Sequence, residues 1–553
     1  MPKITVGEGD GLVAAVQQAL GDRLGQATLA TGKLPGPLAA CLRRDGKRLE
    51  EVWVETGDIN QAIASIQARA GARAASSCTL DFTQNWLNVP LDRAPDVLTN
   101  KTRGLSGFEL QLGARRVRVP PTLQIATNRS FARFLERFLK HHKLDPAEFE
   151  KRGQLRVFDA VQVFIASFDP PSAKLLHRGG GLVAPETMDR AEFDLLIDGM
   201  KSWMKSNIRP SGHLVYKYWP SRGEETKADN TIRRFMGTLA LIRSGFLEEA
   251  ARNIDFNLNR FYRVENGLGL IDWEGKVKLG AVALAALAIL EHPEKARWSQ
   301  AYQSLCRTTD YLHQADGSFR TFLKPSDRND NQNFYPGEAL LFWAQRLRLD
   351  PAEGLADRFT ASFQFYRSWH RKARNPAFVP WHSMAYAAIA DLPDRDAMHD
   401  FVIEMNDWLL DLQQWGPPLA PEFWGRFYAP DRPEFGPPHA SSTGVYLEGL
   451  AAALALAQDA NDLARAARYE AAIWRAARNL RQLQFREPEE LFYIAHPERV
   501  LGGLRTEVYN NEIRVDNIQH GLMGLLNARP RLRAETLLDA QAAEARAAGS
   551  ISG

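Results

Sequence analysis

From about residue 185 onward, the sequence alternates between two kinds of predicted helix. Six segments have one apolar and one charged face, as in helices that pack on one side; they span 190–206, 247–262, 296–314, 352–371, 395–413 and 462–484. Six others are rich in Ala, Gly and Leu and apolar nearly all round, which predicts burial on every side; they begin at Asn230, Lys278, Tyr335, Pro380, Ser441 and Val515. The variable distance between these starts is typical of a two-helix repeat with loops of different length.

Six exposed helices that alternate with six buried ones predict an (α/α)6 toroid, with an inner ring of parallel helices inside an outer ring. Solenoid arrays hold a stricter period and have shorter loops. The predicted fold class is therefore mainly α, with the toroid over residues 190–530. A smaller α/β (α+β) domain over residues 1–178 and a Gly-rich linker over 179–189 precede it. Residues 531–553 are expected to form a partly disordered C-terminal tail.

Residues 1–178 mix strand-like runs with amphipathic helices. RRVRVPPTLQIA is predicted to be strand, and SFARFLERFLKHHKL to be a helix capped by Ser130 or Asn128. This part of the chain, within residues 80–170, resembles the AMME-syndrome candidate protein family in its proline-led strand, helix, KLDP turn and closing strand. The basic face of the helix is interpreted as solvated surface; it carries Arg129, Arg133, Arg137 and Lys140.

Composition narrows the classes of function. The 69 basic and 66 acidic residues give a net charge of +3, which does not suit a protein that binds nucleic acid as a polyelectrolyte. Three cysteines far apart argue against a disulfide framework and a cysteine zinc site. The chain begins without a leader-like segment and has no run of 18 apolar residues. We therefore expect a cytoplasmic protein without a membrane span.

Long loops rich in aromatic residues precede the buried helices, and loops of this length are usually functional. Because parallel inner helices begin at the same end of the ring, we expect their first turns to share one polar cavity. The densest polar stretch is GGLRTEVYNNEIRVDNIQHG, residues 502–521. The candidate catalytic residues are His520, Asp516, His382, Tyr428, Asp229 and Glu338. The candidate substrate-binding residues are Arg514, Arg505, Arg233, Asn230, Trp273, Asp272, Tyr218, Trp381, Trp424, His439 and Tyr509.

The residue types permit more than one chemistry. Two carboxylates across the ring would suit glycoside hydrolysis, whereas histidine or tyrosine with arginines would suit epimerisation or elimination beside a carboxylate. Asp516 and His520 are four residues apart, so we expect the carboxylate to fix the imidazole tautomer. Glu448 is expected to bind an arginine in the core, and His370 to lie at the surface.

The phrases KLGAVALAALA, YPGEALL, HASSTGVYLEGLAAA and IRVDNIQHGLMGLL resemble inner-helix motifs of (α/α)6 carbohydrate-active enzymes. That group includes glycoside hydrolases, polysaccharide lyases, N-acylglucosamine 2-epimerase-like proteins and the C-terminal domain of glucuronyl C5-epimerases. Over residues 185–530 the resemblance implies an epimerase, lyase or hydrolase that acts by general acid/base chemistry on an anionic sugar or oligosaccharide, without cofactor or metal. The alternative is a non-catalytic binding or scaffold subunit of a biosynthetic complex, with a protein partner on the N-terminal domain.

Overall fold

The computed structural model describes residues 8–24 and 32–549, and its first domain is a single antiparallel sheet flanked by helices. The strands run in the order β2-β1-β3-β6-β4-β5, with β7 paired to β6. They are β1 Leu38–Arg44, β2 Lys47–Val54, β3 Ser77–Val89, β4 Ser106–Leu112, β5 Arg115–Val119, β6 Gln154–Phe168 and β7 Pro171–Leu176. The helices are α1 Glu8–Leu20, α2 Ile59–Arg73, α3 Ala94–Val97, α4 Pro121–Thr127, α5 Phe131–His142 and α6 Pro146–Arg152. This arrangement is the predicted α+β domain.

One local prediction in this domain is wrong. RRVRV forms β5, but the apolar run PTLQIA that follows is helix α4. Pro121 is the first residue of α4, where its fixed φ suits a helix and its missing N–H costs no hydrogen bond. Asn128 ends α4 in the left-handed conformation, and Ser130 precedes α5 without a side-chain capping bond.

The second domain is a closed double ring of helices. The inner ring consists of α8 Thr231–Arg243, α10 Leu279–Glu291, α12 Tyr335–Leu349, α14 Val379–Ala387, α16 Ala440–Asp459 and α19 Val515–Ala528. The outer ring consists of α7 Arg190–Asn207, α9 Leu247–Phe261, α11 Ser299–Leu312, α13 Leu355–Lys372, α15 Arg395–Leu410 and α17 Leu463–Leu483. Each inner helix contacts the next, and α19 closes the ring on α8. The predicted (α/α)6 architecture is confirmed.

Burial explains the composition of the inner helices. Every residue of α10 from Leu279 to Leu290 is buried, because this helix has neighbours on all sides. Among the described residues, α16 alone is long and apolar enough to cross a membrane, yet 72% of its apolar window is buried in the protein. This degree of burial is typical of a core helix, and α16 occupies such a position in the inner ring.

Two small sheets replace part of the predicted aromatic loops. One has the order β10-β11-β12-β13, from β10 Tyr262–Glu265, β11 Leu268–Trp273, β12 Lys276–Lys278 and β13 Phe322–Lys324. The other has the order β14-β15-β8-β9, from β8 Lys217–Trp219, β9 Glu224–Glu225, β14 Arg505–Glu507 and β15 Asn510–Arg514. The second sheet joins the loops that lead into α8 and α19, although they are almost 300 residues apart in sequence.

The end of the chain also differs from the predicted disordered tail. After the short helix α18, Pro488–Leu491, and the inner helix α19, residues Leu537–Gly549 form helix α20. It packs against α17, with Leu537 and Ala540 buried. The burial of these apolar residues stabilises the segment as a helix. Residues 550–553 lie outside the described part.

The two domains share one apolar core and several polar contacts. Ile125 and Phe164 of the first domain belong to the same buried cluster as the inner helices. Asn511 Nδ2 donates to the backbone oxygen of Ile125 at 2.8 Å, and Asn128 Nδ2 donates to Asn510 Oδ1 at 3.0 Å. The sheet domain therefore lies against the β15 hairpin, beside the entrance to α8 and α19.

Candidate functional site

The first turns of α8 and α19 bring two arginines onto one buried carboxylate. Arg233 Nε donates to Asp516 Oδ2 at 2.6 Å, and Arg514 Nε donates to Oδ1 at 3.0 Å. Asp516 is only 1% exposed. Burial alone would raise the pKa of Asp516, but the charges and hydrogen bonds of Arg233 and Arg514 hold it well below its usual range. The carboxylate thus stays ionised and fixes both guanidinium groups.

A histidine and a buried glutamate meet where α19 packs against α16. His520 Nδ1 and Glu448 Oε1 are 2.6 Å apart. Glycines allow the two helices to approach this closely: a Cβ on Gly444 would lie 2.4 Å from the backbone nitrogen of Gly521. Because a carboxylate accepts hydrogen bonds, Glu448 favours the proton on Nδ1, so in the neutral imidazole Nε2 is the nitrogen with the lone pair.

The third polar group is Glu338, in the first turn of α12. It is 2% exposed, and within the described part of the chain its Oε2 has no hydrogen-bond partner. The carboxyl group occupies space that only a glycine on α10 leaves free, since a Cβ on Gly280 would lie 1.6 Å from Oε2. Burial raises the pKa of Glu338 to about 8, against the opposing charges of Arg233 and Lys278. At neutral pH the group is mostly a carboxylic acid.

His439 connects the start of α16 to these residues. Its Nδ1 accepts a hydrogen bond from the backbone nitrogen of Ser442 at 3.1 Å, which caps the helix. Burial and the nearby charge of Arg514 lower the pKa of His439 to about 4, although the charge of Asp516 opposes them. The ring is therefore neutral, and with Nδ1 used as an acceptor its Nε2 carries the proton.

Trp381 lies edge-on to the ring of His520, with centroids 5.8 Å apart. We use the name "cup" for the group formed by Arg233, Lys278, Glu338, Trp381, His439, Glu448, Arg514, Asp516 and His520. With Glu338 protonated and His439 neutral, the three cations Arg233, Lys278 and Arg514 outnumber the carboxylates of Asp516 and Glu448. The cup then has a net positive charge and favours an anionic ligand.

Several predicted residues have partners that give them a structural role. Asp229 is bound by Arg234, whose Nη2 lies 2.6 Å from Oδ2, and Asn230 caps α8 through the backbone nitrogen of Arg233. Asp272 accepts from Arg263 Nη2 at 2.6 Å in the β11–β12 hairpin.

His382 is fully buried, and its ring is stacked on Phe378 with centroids 3.5 Å apart. Its Nδ1 lies 2.9 Å from the hydroxyl of Tyr386. Burial lowers the pKa of His382 well below its ordinary value. The structure thus places this candidate in the apolar core between the helices, as a neutral packing residue.

Six further predicted residues make their contacts in the loops and small sheets around the ring: Tyr218, Trp273, Trp424, Tyr428, Arg505 and Tyr509. Arg505 lies over Phe485, with its Cζ 4.6 Å from the ring centroid. Tyr509 is next to Glu507, and burial together with that charge raises its pKa to about 12. The structure does not bring these six onto the cup.

Three interpretations from sequence need correction. Asp516 does not hold His520, because two arginines occupy its oxygens. Glu448, expected to bind an arginine, binds His520 instead. His370, expected at the surface, is 1% exposed and stacked on Phe378, because α13 turns this residue toward the inner ring.

Comparisons with known proteins do not assign the chain to a family. No family model and no curated protein match the chain. Among solved structures, the α-1,6-mannanase GH76A of Salegentibacter sp. HEL1_6 shares 9% identity, with 61% of this chain and 99% of that chain covered and a TM-score of 0.43. A D-mannose isomerase shares 12% identity over 62% and 97% of the two chains, with a TM-score of 0.45. The type II terpene cyclase MstE from Scytonema shares 12% identity over 62% and 100%, with a TM-score of 0.38. At these scores, no property of the chain is inferred from them.

Proposed function

We propose that the chain is an enzyme that performs general acid/base chemistry on an anionic sugar or oligosaccharide, by epimerisation or elimination. The observation that carries the proposal is the 2.6 Å pair of His520 and Glu448, in a cup that also buries the protonated carboxyl of Glu338. A base and an acid of different type, each held by its surroundings, are what proton transfer at a sugar carbon requires.

His520 serves as the base in this proposal. Glu448 holds the proton on Nδ1, so the Nε2 lone pair is free to take a proton from the ring carbon next to the sugar carboxylate. The side chain of His520 is 12% exposed, while that of Glu448 is fully buried. Glu448 is thus a positioning residue, since its effect on the substrate passes through the imidazole.

Glu338 serves as the acid. When the carbon loses its proton, the electron pair is delocalised into the sugar carboxylate. Glu338 then supplies a proton either to the other face of the same carbon, which inverts it, or to a leaving oxygen on the adjacent carbon, which completes elimination. A carboxyl with a pKa of about 8 holds its proton at neutral pH and returns to that state after each turnover.

The charge of the cup supports an anionic substrate. Arg233 and Arg514 are oriented by Asp516, and Lys278, half-buried at the start of α10, adds a third cation. Positive charge fixed in advance stabilises the negative charge that develops when the carbon loses its proton. The amide groups at the first turns of α8, α12 and α19 act in the same direction.

Hydrolysis is the less favoured chemistry because it needs two carboxyl groups free to act at the glycosidic bond. Asp229, Asp272 and Asp516 are each bound by arginine. Glu448 is bound by His520, so Glu338 is the single candidate acid that no cation or histidine binds directly.

The experiment is proton exchange in deuterated water. The purified chain is incubated with uronic acids and short uronic-acid oligosaccharides. Proton NMR follows the signal of the hydrogen on the carbon that carries the carboxylate. We expect deuterium to enter at that carbon, or an unsaturated product to form. If reducing ends are released with neither deuterium entry nor an unsaturated product, the reaction is hydrolysis and the proposed chemistry is wrong.

A further inference from the structure

A wide cleft lies between the two domains, next to the β8 strand that leads toward the cup. Its volume is about 1000 Å³. One wall is helix α5 with the residues before it, and the other is the turn after β8. The lining residues are Thr127, Asn128, Arg129, Arg133, Glu136, Arg137, Lys140, His141, Trp219, Ser221 and Arg222.

The cleft concentrates positive charge that nearby carboxylates neutralise only in part. Five cationic side chains line it, with Glu136 as the one carboxylate among the lining residues. In the described ranges, 8–24 and 32–549, Arg129, Arg137 and Lys140 form no ion pair. Burial and the charges of Arg137, Arg48 and Arg222 lower the pKa of Arg129. Cations this close repel one another, so a bound anion would stabilise them.

One face of the small sheet connects this cleft to the cup. Lys217 pairs with Arg514 in the β8–β15 ladder. Trp219 Nε1 donates to Glu512 Oε2 at 2.7 Å, and Lys217 Nζ lies 3.0 Å from Glu512 Oε1. Side chains two apart on a strand share a face, so Trp219 and Lys217 lie on one face with their partners. Trp219, on the cleft wall, is about 7 Å along the strand from Lys217 at a rise of about 3.3 Å per residue.

We propose that the cleft is a binding site for the distal units of an acidic oligosaccharide whose reacting unit lies in the cup. This inference rests on the proposed function, because it assigns both regions to one substrate. Arg129, Arg137 and Lys140 bind the carboxylate or sulfate groups of the chain, and the half-buried indole of Trp219 forms the aromatic part of the wall. Arg222 lies over that indole, with its Cζ 4.4 Å from the centroid.

A sugar chain fits these features better than nucleic acid does. Nucleic-acid proteins usually carry a high net positive charge or several aromatic platforms. Here the net charge is +3, and Trp219 is the single aromatic platform among the lining residues besides the imidazole of His141. The connection to the positively charged cup also requires a ligand that continues past Lys217 to Arg514.

The test is fluorescence anisotropy with a fluorescein-labelled hexasaccharide of galacturonic acid, a labelled neutral glucose hexasaccharide, and a labelled single-stranded DNA of the same charge as the acidic probe. We expect the wild-type chain to prefer the acidic hexasaccharide. R129A/R137A should weaken that binding about tenfold, since two exposed charge pairs are lost. Raising the salt concentration should weaken wild-type binding more than binding by R129A/R137A.

The matched control is R348A/K295A, which removes two exposed cations at the end of the ring where inner helices terminate; its affinity should equal that of wild type. Free galacturonate is also used to displace the labelled acidic hexasaccharide from wild type and from R514A. The difference between the two measures binding in the cup separately from binding in the cleft. If R129A/R137A binds the hexasaccharide as wild type does while R514A does not, the cleft inference is wrong and the proposed function stands. Equal affinity for the DNA probe would also overturn the sugar assignment, and binding of neither sugar would contradict both proposals.

Discussion

The cup and the cleft both carry positive charge, but they hold it in opposite ways. In the cup, Arg233 and Arg514 are fixed by buried Asp516, and His520 is fixed by buried Glu448. In the cleft, Arg129, Arg137 and Lys140 lie at a surface, without partners among the described residues. A cation that is already paired with a carboxylate has a defined position but adds little to the binding free energy of a ligand. An unpaired cation can bind any anion.

This difference separates two roles. Geometry that is set before the substrate arrives lowers the barrier to a chemical step, because no reorganisation is needed. Exposed and mobile cations add affinity and attract the ligand over a longer range, and salt weakens them. We therefore expect changes in the cup to alter turnover or folding, and changes in the cleft to alter binding alone.

The largest effect is expected for His520→Asn. The amide replaces Nδ1–H as the donor to Glu448, so the fold is kept while the base is lost. We expect kcat to fall by about 10²- to 10⁴-fold, the usual contribution of a general base. The rate of deuterium entry into the uronic acid measures this, with Tm as the control for folding. An unchanged rate would show that His520 is not the base and would contradict a catalytic role for the cup.

Asp516→Asn tests whether the cup depends on its fixed charges. The substitution leaves Arg233 and Arg514 without a counter-charge, and breaking a buried pair costs about 3–5 kcal/mol. We expect the lower end of that range, because Arg233 is 30% exposed. Chemical denaturation gives the free energy of unfolding. Arg465→Ala, which removes two exposed pairs, with Asp407 and with Asp462, is the control and should change the free energy of unfolding by about 1 kcal/mol or less.

Gly280→Ala tests the space that holds the Glu338 carboxyl. The added methyl would overlap Oε2, so the carboxyl must move and the packing must adjust, at a cost of about 1–3 kcal/mol. Turnover should fall as well, because the acid is displaced. Gly71→Ala is the matched control: it lies on α2, with no atom within 4 Å of the added methyl, and we expect no loss of stability or activity.

Glu338→Gln tests the protonation of that carboxyl through stability. With the folded pKa raised from 4.5 to about 8, ionisation costs free energy in the folded state alone. The stability of the wild type from this group is full below about pH 4.5 and is lost as pH rises through 8. The variant lacks this loss of stability. The difference between its Tm and that of wild type should therefore shift in favour of the variant as the pH rises from 5 to 9. Parallel Tm curves would show that the carboxyl is ionised throughout.

The smallest effect is expected for R129A/R137A on folding. Arg137 is exposed and Arg129 is half-buried, and neither forms an ion pair in the described structure; surface substitutions of this kind usually change stability by less than about 0.5 kcal/mol. Tm should stay unchanged or rise slightly, because repulsion among the cations is relieved. A clear fall in Tm would mean that the cleft, like the cup, is held by interactions within the fold.

Most of the toroid follows from sequence, because helical periodicity is local. The all-apolar run of α10 and the two-faced pattern of α9 each predict their own burial. The short strands do not, since Lys217 and Arg514 pair across almost 300 residues and neither segment is strand-like alone. The strand prediction for PTLQIA failed because a short apolar run does not distinguish a strand from a helix.

The cup was partly predictable for the same reason. Arg233, Asp516 and His520 lie in or near first turns of inner helices, where a parallel ring brings side chains together. The partner of His520 was not predictable from spacing, since Glu448 is 72 residues away and reaches it through the close contact at Gly444 and Gly521. Glycines on both helices are the one sequence signal of that contact. The pairing of Asp229 with Arg234 likewise depends on how the loop before α8 folds back onto the helix.

The most direct measurement is the rate of proton loss from the carboxylate-bearing carbon of one uronic-acid oligosaccharide, read as deuterium exchange or as unsaturated product, as a function of substrate concentration. Wild type, His520→Asn and R129A/R137A are compared side by side. We predict that His520→Asn loses the exchange even at saturating substrate, while R129A/R137A keeps the wild-type kcat and has a higher KM. Exchange that survives in His520→Asn, or a loss of kcat in the cleft variant alone, would contradict the division between a catalytic cup and a binding cleft.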